Sequence, residues 1–540
     1  MARHRAGGVP RWEWPALALL ALAGLVVAGV LVVAARSVKT GAVVAGDSCG
    51  RPVRVVAASS YAPVLAALTT GLQPDDCLLV EVTAADGRAA AKLAGDVHAD
   101  VWIADDSSWA ASAGSVGLAQ GPATGAGTVL ATSPIYMVTD PATGARLRQA
   151  GASWLGLAGL VGAKAARLVV RDPAGSGDGL VGAGAVAEAV WLDKDMDASA
   201  LWLADAKRTA RTVTGDGAAM PTKAGEVGLV PEYALLRDPE AARNRVILPG
   251  TDHTALLRYT WLPLAAAATD SARVAALERL RTRLTSDDAT AYLRAARLRG
   301  PDVRRVVSGD LPSPTAEPFG VLAPHHVDHV FATWYAVDRR TNLLVVVDVS
   351  GSMAAPAVGS TSSRIDLVRQ GCRSVAALLP NDSRMGLWEF GSELDGARDY
   401  RTLLAMTPLT PQHRAALAGA VATLNSRKTG TGLYDTILAA YTSARDAYQG
   451  GVPNQVLVLT DGRNESDRKS LTAAQLSAAL QKATDQNRPV QLSVVTFGTA
   501  ADTKVINDAI EPVGGYVDNL STATEVAAVF IHVAAGGLHH

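Results

Sequence analysis

Apolar positions run unbroken and uncharged from Pro15 to Ala35, after which the pattern breaks into short apolar strands and amphipathic stretches. As a helix, about 21 such residues reach roughly 30 Å, the thickness of a bilayer core, so a transmembrane helix is expected over residues 15–35. Trp12 and Trp14 suit the headgroup region, and Arg3, Arg5 and Arg11 outweigh Arg36 and Lys39. That asymmetry puts residues 1–14 in the cytoplasm and the bulk of the chain outside. The alternative is secretion after signal-peptide cleavage near Val43-Val44-Ala45, which the length of the apolar run disfavours.

Beyond the anchor, residues 53–58, 77–82, 101–104, 129–138 and 167–170 read as strands. Residues 61–72 and 180–190 read as helices between them, and two more helices follow within 265–298. Alternation of this kind predicts a parallel sheet covered by helices on both faces. The run Gly309-Asp310-Leu311-Pro312-Ser313-Pro314, with Pro318, marks a linker. A second alternating region starts with the continuous apolar run Asn342 to Val349, the signature of a central strand buried on both faces. With strands at 385–390, 400–406, 456–459 and 490–497 and helices at 365–379, 412–424 and 433–448, five strands are placed of the six-stranded doubly wound sheet that is expected.

Length alone suggests several domains in 540 residues. Lys plus Arg (50) nearly balances Asp plus Glu (51), so no net field draws the chain to nucleic acid. The cysteines are Cys49, Cys77 and Cys372. The first two flank a short stretch that could close on itself as a disulfide in an oxidising compartment, or stand as two free thiols; Cys372 lies on an apolar helix face and reads as core.

Two other patterns invite chemistry. Gly177, Gly179 and Gly182 satisfy GxGxxG after a strand, but the turn from Val170 is too long for a tight dinucleotide loop. His325 and His329 fall at i and i+4 of a helix leading into the second region, which reads either as a metal half-site lacking further ligands or as a solvated linker helix.

Residues 50–305 resemble the type II extracellular solute-binding proteins, the bilobed family that includes molybdate-like receptors. The resemblance rests on Val55-Val56-Ala57-Ala58-Ser59-Ser60, on Ala99 to Trp109, on Ala131-Thr132-Ser133-Pro134, and on Asp172-Pro173 before a Gly-rich helix start. It implies an interlobe cleft lined by loops and helix N-termini that can hold a small anion or other solute. Ser59, Ser60, Ser107, Ser133 and Ser176 are the hydroxyl-bearing candidates, with helix capping as the alternative role for each.

Residues 341–535 resemble the von Willebrand factor type A (VWA) domain, carried by Asp348-Val349-Ser350-Gly351-Ser352-Met353, Thr429-Gly430-Thr431-Gly432 and Leu459-Thr460-Asp461-Gly462. The resemblance implies a metal-ion-dependent adhesion site in which Asp348, Ser350, Ser352, Thr431 and Asp461 hold Mg²⁺, or Mn²⁺ or Ca²⁺, and a protein partner's carboxylate completes the sphere. Asp435 would support the loop from behind. Two carboxylates and three hydroxyls make a hard oxygen site suited to such ions. No Ser-His-Asp arrangement is visible, and Asp348 lacks a second Asp two residues on, so no catalytic residues are assigned. The expectation is a membrane-anchored extracytoplasmic recognition protein: a type II periplasmic-binding-protein-like domain, a connecting segment over residues 306–340, and a Rossmann-like VWA domain. A solute-binding component of a transport or sensing system is the alternative.

Overall fold

The computed structural model describes residues 51–520 and 529, apart from 74–75, 111–116, 120–123, 195, 308–309, 319–323, 358–359, 463, 465–469 and 498–499. The proposed anchor over residues 15–35 and Cys49 therefore lie outside the described residues. No helix among the described residues is long and apolar enough to cross a membrane.

The first region contains β1 (Val53–Ala57), α1 (Ala62–Gly71), β2 (Val80–Ala84), α2 (Gly87–Asp96), β3 (Val101–Ala104), β4 (Thr128–Thr139), α3 (Pro141–Gln149), α4 (Trp154–Gly162), β5 (Arg167–Arg171), α5 (Gly177–Asp193) and α6 (Met196–Thr209). It continues through β6 (Arg211–Val213), β7 (Glu226–Pro231), α7 (Glu232–Arg237), β8 (Val246–Leu248), β9 (Leu256–Pro263), α8 (Ser271–Thr285) and α9 (Ala289–Ala296). The strands follow the order β2-β1-β3-β9-β4-β7-β5-β6, with β8 on β4. Two lobes result. β1, β2 and β3 are parallel, as are β5, β6 and β7, but β9 runs antiparallel to β3 and β4, and β4 runs antiparallel to β7 and β8.

The sheet is thus mixed where an all-parallel one was expected. Twelve residues of β4 serve both lobes, the first half pairing with β9 and the second with β7 and β8. β4 and the β8–β9 connection are therefore the crossings between lobes. The second strand also begins at Val80, three residues later than expected, because Cys77 takes a positive φ of 44° that an extended strand excludes.

A connecting helix, α10 (Pro324–Ala336), leads into the second domain: β10 (Asn342–Asp348), α11 (Arg364–Leu378), β11 (Arg384–Asp395), β12 (Arg398–Pro408), α12 (Pro411–Thr423), α13 (Leu433–Asp446), β13 (Asn454–Thr460), α14 (Ala473–Ala483), β14 (Gln491–Thr496), α15 (Ala500–Ile510) and β15 (Tyr516–Asn519). The order is β12-β11-β10-β13-β14-β15, parallel except for the edge hairpin partner β12. Every residue of β10 and β13 is buried, which explains their continuous apolar runs. The period of two persists inside the run: Leu343, Val345 and Val347 pack under α11 and α12, while Leu344 and Val346 pack under α13, α14 and α15. Cys372 is a free, fully buried cysteine in the first of these layers.

The two domains touch. Ala200 and Ala204 of α6 form an apolar cluster with Val337 and Leu378, the last residue of α11. Around it, Lys207 pairs with Asp338 at 3.2 Å, and Arg208 donates to the carbonyls of Ala377 and Leu378 at the end of α11.

Candidate functional site

β10 and β13 are adjacent and parallel, with Val347 opposite Leu459, so Asp348 and Asp461 leave the sheet side by side where the strand order reverses. Asp348 is wholly buried and tightly held. Its Oδ1 accepts the Ser350 N–H at 2.8 Å and its Oδ2 accepts the Thr460 hydroxyl at 2.7 Å. Ser350 Oγ and Ser352 Oγ lie 3.1 Å apart, placing both hydroxyls on one turn beside the carboxylates. Burial pushes Asp348 up to about 6, and the charge of Asp461 adds to the rise against the hydrogen bonds from Ser350 and Thr460.

Thr431 arrives on a separate loop whose position is fixed by backbone bonds. Arg427 N–H donates to Val349 O, and Gly351 N–H donates to Thr429 O at 3.3 Å. Thr431 is buried there, immediately before Gly432, the N-cap of α13. Leu433 N–H donates to Asn464 Oδ1 at 3.1 Å, joining this loop to the one that follows Asp461. Asp435 accepts the Leu471 N–H at 3.0 Å and fastens the far end of that loop. All five predicted residues therefore occupy one crest of the sheet, on three mutually bonded loops.

Groups without a sequence signal complete the arrangement. Glu389 on β11, buried opposite Val347, binds Arg427 at 3.0 Å and also Arg401, so it holds the loop that carries Thr431. Arg364, the first residue of α11, places Nη1 3.4 Å from Asp461 Oδ2. Only Thr460, next to Asp461, lay within a recognised motif. The donor set fits a hard divalent cation: two neighbouring buried carboxylates repel one another, the hydroxyls are neutral, and a cation would offset the repulsion. Among the described residues no cluster of three or more His, Cys, Asp and Glu side chains has metal-ligating geometry. A site here would depend on hydroxyls for its remaining ligands.

The serines of the first domain are distributed differently. Ser59 and Ser60 follow β1: Ser59 N–H donates to Asp86 at 2.7 Å, and Ser60 Oγ meets Tyr259 Oη at 2.7 Å. Ser107 Oγ lies 2.6 Å from Thr260 Oγ1. Ser176 is the N-cap of α5, its hydroxyl accepting the Gly179 N–H at 3.2 Å. Ser133 sits within β4 and not on a loop, and its hydroxyl accepts the Tyr233 N–H in the first turn of α7. Ser59 belongs to the first lobe and the buried Ser176 to the second, while Ser60 and Ser107 are tied to β9.

Between those lobes lies a buried group of titratable side chains, of which Asp105 and Asp178 fall inside stretches singled out in the sequence and Asp86 and Arg171 do not. Asp86 follows β2, Asp105 follows β3, and Arg171 ends β5, with Asp178 one residue into α5. Arg171 lies 3.0 Å from Asp178 and 3.8 Å from Asp86, and Asp105 Oδ2 accepts the Gly177 N–H at 2.5 Å. Burial pushes Asp105 up to about 8, with Asp86 and Asp178 adding to it against the Gly177 N–H and Arg171. GxGxxG glycines serve packing: a Cβ on Gly179 would meet Arg171 O at 2.5 Å. His329 of the connecting helix is buried, with Nε2 3.3 Å from Ser199 Oγ and its ring beside Trp191.

Comparison with known proteins agrees with both folds. Residues 53–296 match the model of bacterial extracellular solute-binding proteins, and residues 342–529 match that of the von Willebrand factor type A domain. The chain joins a bacterial solute-binding domain to a C-terminal VWA domain. Curated relatives are two uncharacterized proteins from strains of Mycobacterium tuberculosis, 28% identical over 167 residues, 30% of this chain. The chain spans about a quarter (24%) of the length of those relatives.

Among solved structures, a VWA protein from Catenulispora acidiphila is 20% identical with a TM-score of 0.30, over 37% of this chain and 43% of that one. A periplasmic thiamin-binding protein is 16% identical with a TM-score of 0.38, over 54% and 98%. Iron-bound HitA from Pseudomonas aeruginosa is 15% identical with a TM-score of 0.39, over 52% and 97%.

Proposed function

We propose that this is an extracytoplasmic recognition protein whose VWA domain binds a protein partner through a divalent cation held by Asp348, Ser350, Ser352, Thr431 and Asp461. The observation that carries this reading is the adjacency of the two buried carboxylates at the strand-order reversal, with Ser350 and Ser352 on the same turn. A bound Mg²⁺ supplies an electrophilic position for a carboxylate of the partner. The protein's part is to hold five oxygens in place, with Thr460 and the Ser350 N–H orienting Asp348. An anchor over residues 15–35 with the bulk outside, and a Cys49–Cys77 disulfide, complete the proposal; residues 1–50 lie outside the described residues.

Calorimetric titration with Mg²⁺ or Mn²⁺ tests it. Asp348→Ala is expected to abolish binding while the VWA domain stays folded, since the variant leaves the Ser350 N–H and Thr460 hydroxyl without an acceptor at a cost of about 1–3 kcal/mol but also removes a buried charge. Equal metal affinity in wild type and variant would overturn the reading.

Small-anion or solute binding by the first domain is a second reading, supported by the family match and by the positions of Ser59, after β1, and Ser176, at the N-cap of α5.

A further inference from the structure

The N-terminus of a long helix is a ready position for an anionic group, because its first N–H groups lack helical partners and the helix dipole favours negative charge. α5 is 17 residues long and starts at the interlobe cleft with Gly177. Its N–H does not point at open cleft. It donates to Asp105 of the opposite lobe, and the approach is so close that a Cβ on Gly177 would stand 2.9 Å from the Asp105 carboxyl carbon.

Three further contacts bridge the lobes beside this one. Asp86, held by the Ser59 N–H, faces Arg171 at 3.8 Å. The next residue, Gly87, has a φ of +65° and abuts the loop after β5, where a Cβ would meet Ala174 O at 2.4 Å. Arg88 N–H then donates to the same Ala174 O at 2.9 Å. Helix α10 crosses the junction on the outside: Phe331 packs on Trp109 and lies under the Arg88 guanidinium in the first lobe, while the Tyr335 hydroxyl donates to Asp172 in the second and accepts the Ala174 N–H.

We infer that the solute-binding domain is self-liganded: the Asp105 carboxyl group occupies the position at the α5 N-terminus where an anionic solute would be held, and with the α10 strap it keeps the lobes closed without external solute. The inference is independent of the metal site. It narrows the second reading above, because a small anion would have to displace Asp105 to reach Gly177. A domain latched in this way presents a fixed surface to the VWA domain instead of opening and closing around cargo. The latch joins residues 72 positions apart across two lobes, so substituting Asp105 acts on closure and not on the local fold of either lobe.

Backbone amide exchange of the segment Ala174–Gly179, followed by mass spectrometry on the full chain, tests the latch at the atom concerned. Wild type is expected to exchange slowly with no solute present and to be unchanged by millimolar acetate, phosphate or sulfate. Asp105→Ala is expected to exchange about tenfold faster, the loss of one buried hydrogen bond, and to be slowed again by acetate. Asp105→Asn keeps an acceptor for the Gly177 N–H and should remain slow. Fast exchange in solute-free wild type overturns the inference, as does further protection of wild type by any of the three anions, or an Asp105→Ala variant as slow as wild type. Should Asp105→Ala fail to fold, the wild-type and Asp105→Asn arms still decide.

Discussion

Arg364 Nη1 lies 3.4 Å from Asp461 Oδ2, so a cation belonging to the protein already stands beside one of the two carboxylates of the proposed metal site. The same nitrogen reaches Ser352 O at 3.5 Å, and Arg364 occupies the first turn of α11, where the helix dipole disfavours positive charge. Such a guanidinium repels an incoming divalent ion. Arg364→Ala is expected to tighten Mg²⁺ binding by about fivefold, the ~1 kcal/mol of a partly exposed ion pair, and Arg364→Lys to leave it near wild type. Calorimetric titration of the three proteins checks this, and an alanine variant that binds no tighter would show that the guanidinium does not compete.

Glu389 is the support of the Thr431 loop. It is buried at the base of that loop and is bound by Arg427 and Arg401, both of which reach solvent with about half of their side chains' area. Glu389→Gln removes the charge that fixes Arg427 while the two arginines can turn to water, so stability should fall by less than the 3–5 kcal/mol typical of a broken buried pair, about 2 kcal/mol. Mg²⁺ affinity should drop although no proposed ligand is touched. Urea unfolding and metal titration on the same variant separate the two effects. Unchanged metal affinity beside lowered stability would limit Glu389 to a structural role.

An acid limb of stability is expected from Glu226. Burial works to push this carboxyl up, but the Arg211 guanidinium and the N–H groups of Thr222 and Lys223 outweigh it and hold the group down at about 2. Thr222 N–H donates at 2.7 Å and Arg211 Nη2 lies at 3.2 Å. In the unfolded chain a glutamate titrates near about 4.3. A group depressed in the folded state contributes stability above its unfolded value and loses it as pH falls through the folded value, so the first domain should weaken from about pH 4 down to about pH 2. Glu226→Gln should be less stable at neutral pH and show a flatter acid limb in urea unfolding at successive pH values. A variant whose midpoint falls in parallel with wild type would assign the acid limb to other groups.

These relationships mark how far the residues alone could be read. β10 and β13 declared themselves because a strand buried on both faces must be a continuous apolar run, and the polar clusters at their ends stood out against it. Strand direction in the first domain was not legible: Val129 to Val138 looks the same whether its neighbours run with it or against it, and β4 changes lobes partway along its length. Glu389 with Arg427, and Asp105 with Gly177, join residues 38 and 72 positions apart. Neither pair carries a local pattern, since only the folded sheet brings them together.

α11 has contacts of consequence at both ends, and the last prediction follows from that. Its 15 residues span roughly 22 Å, from Arg364 beside Asp461 to the carbonyls of Ala377 and Leu378 that accept from Arg208 of the first domain. Arg414 donates to Ala376 O and Leu379 O at the same end, so two guanidinium groups meet the negative pole of the helix dipole. A cation that displaces Arg364 at one end would shift the helix against α6 at the other, and linkage then requires the α6 contact to influence metal affinity by the same factor. Hydrogen exchange of α6 is expected to slow when Mg²⁺ is added to wild type. Arg208→Glu, which sets a carboxylate against the helix carbonyls, should remove that response and alter Mg²⁺ affinity while leaving every proposed ligand in place. Exchange in wild-type α6 that is indifferent to Mg²⁺, at concentrations where calorimetry shows the ion bound, would mean that the two domains act as independent binders joined only by α10.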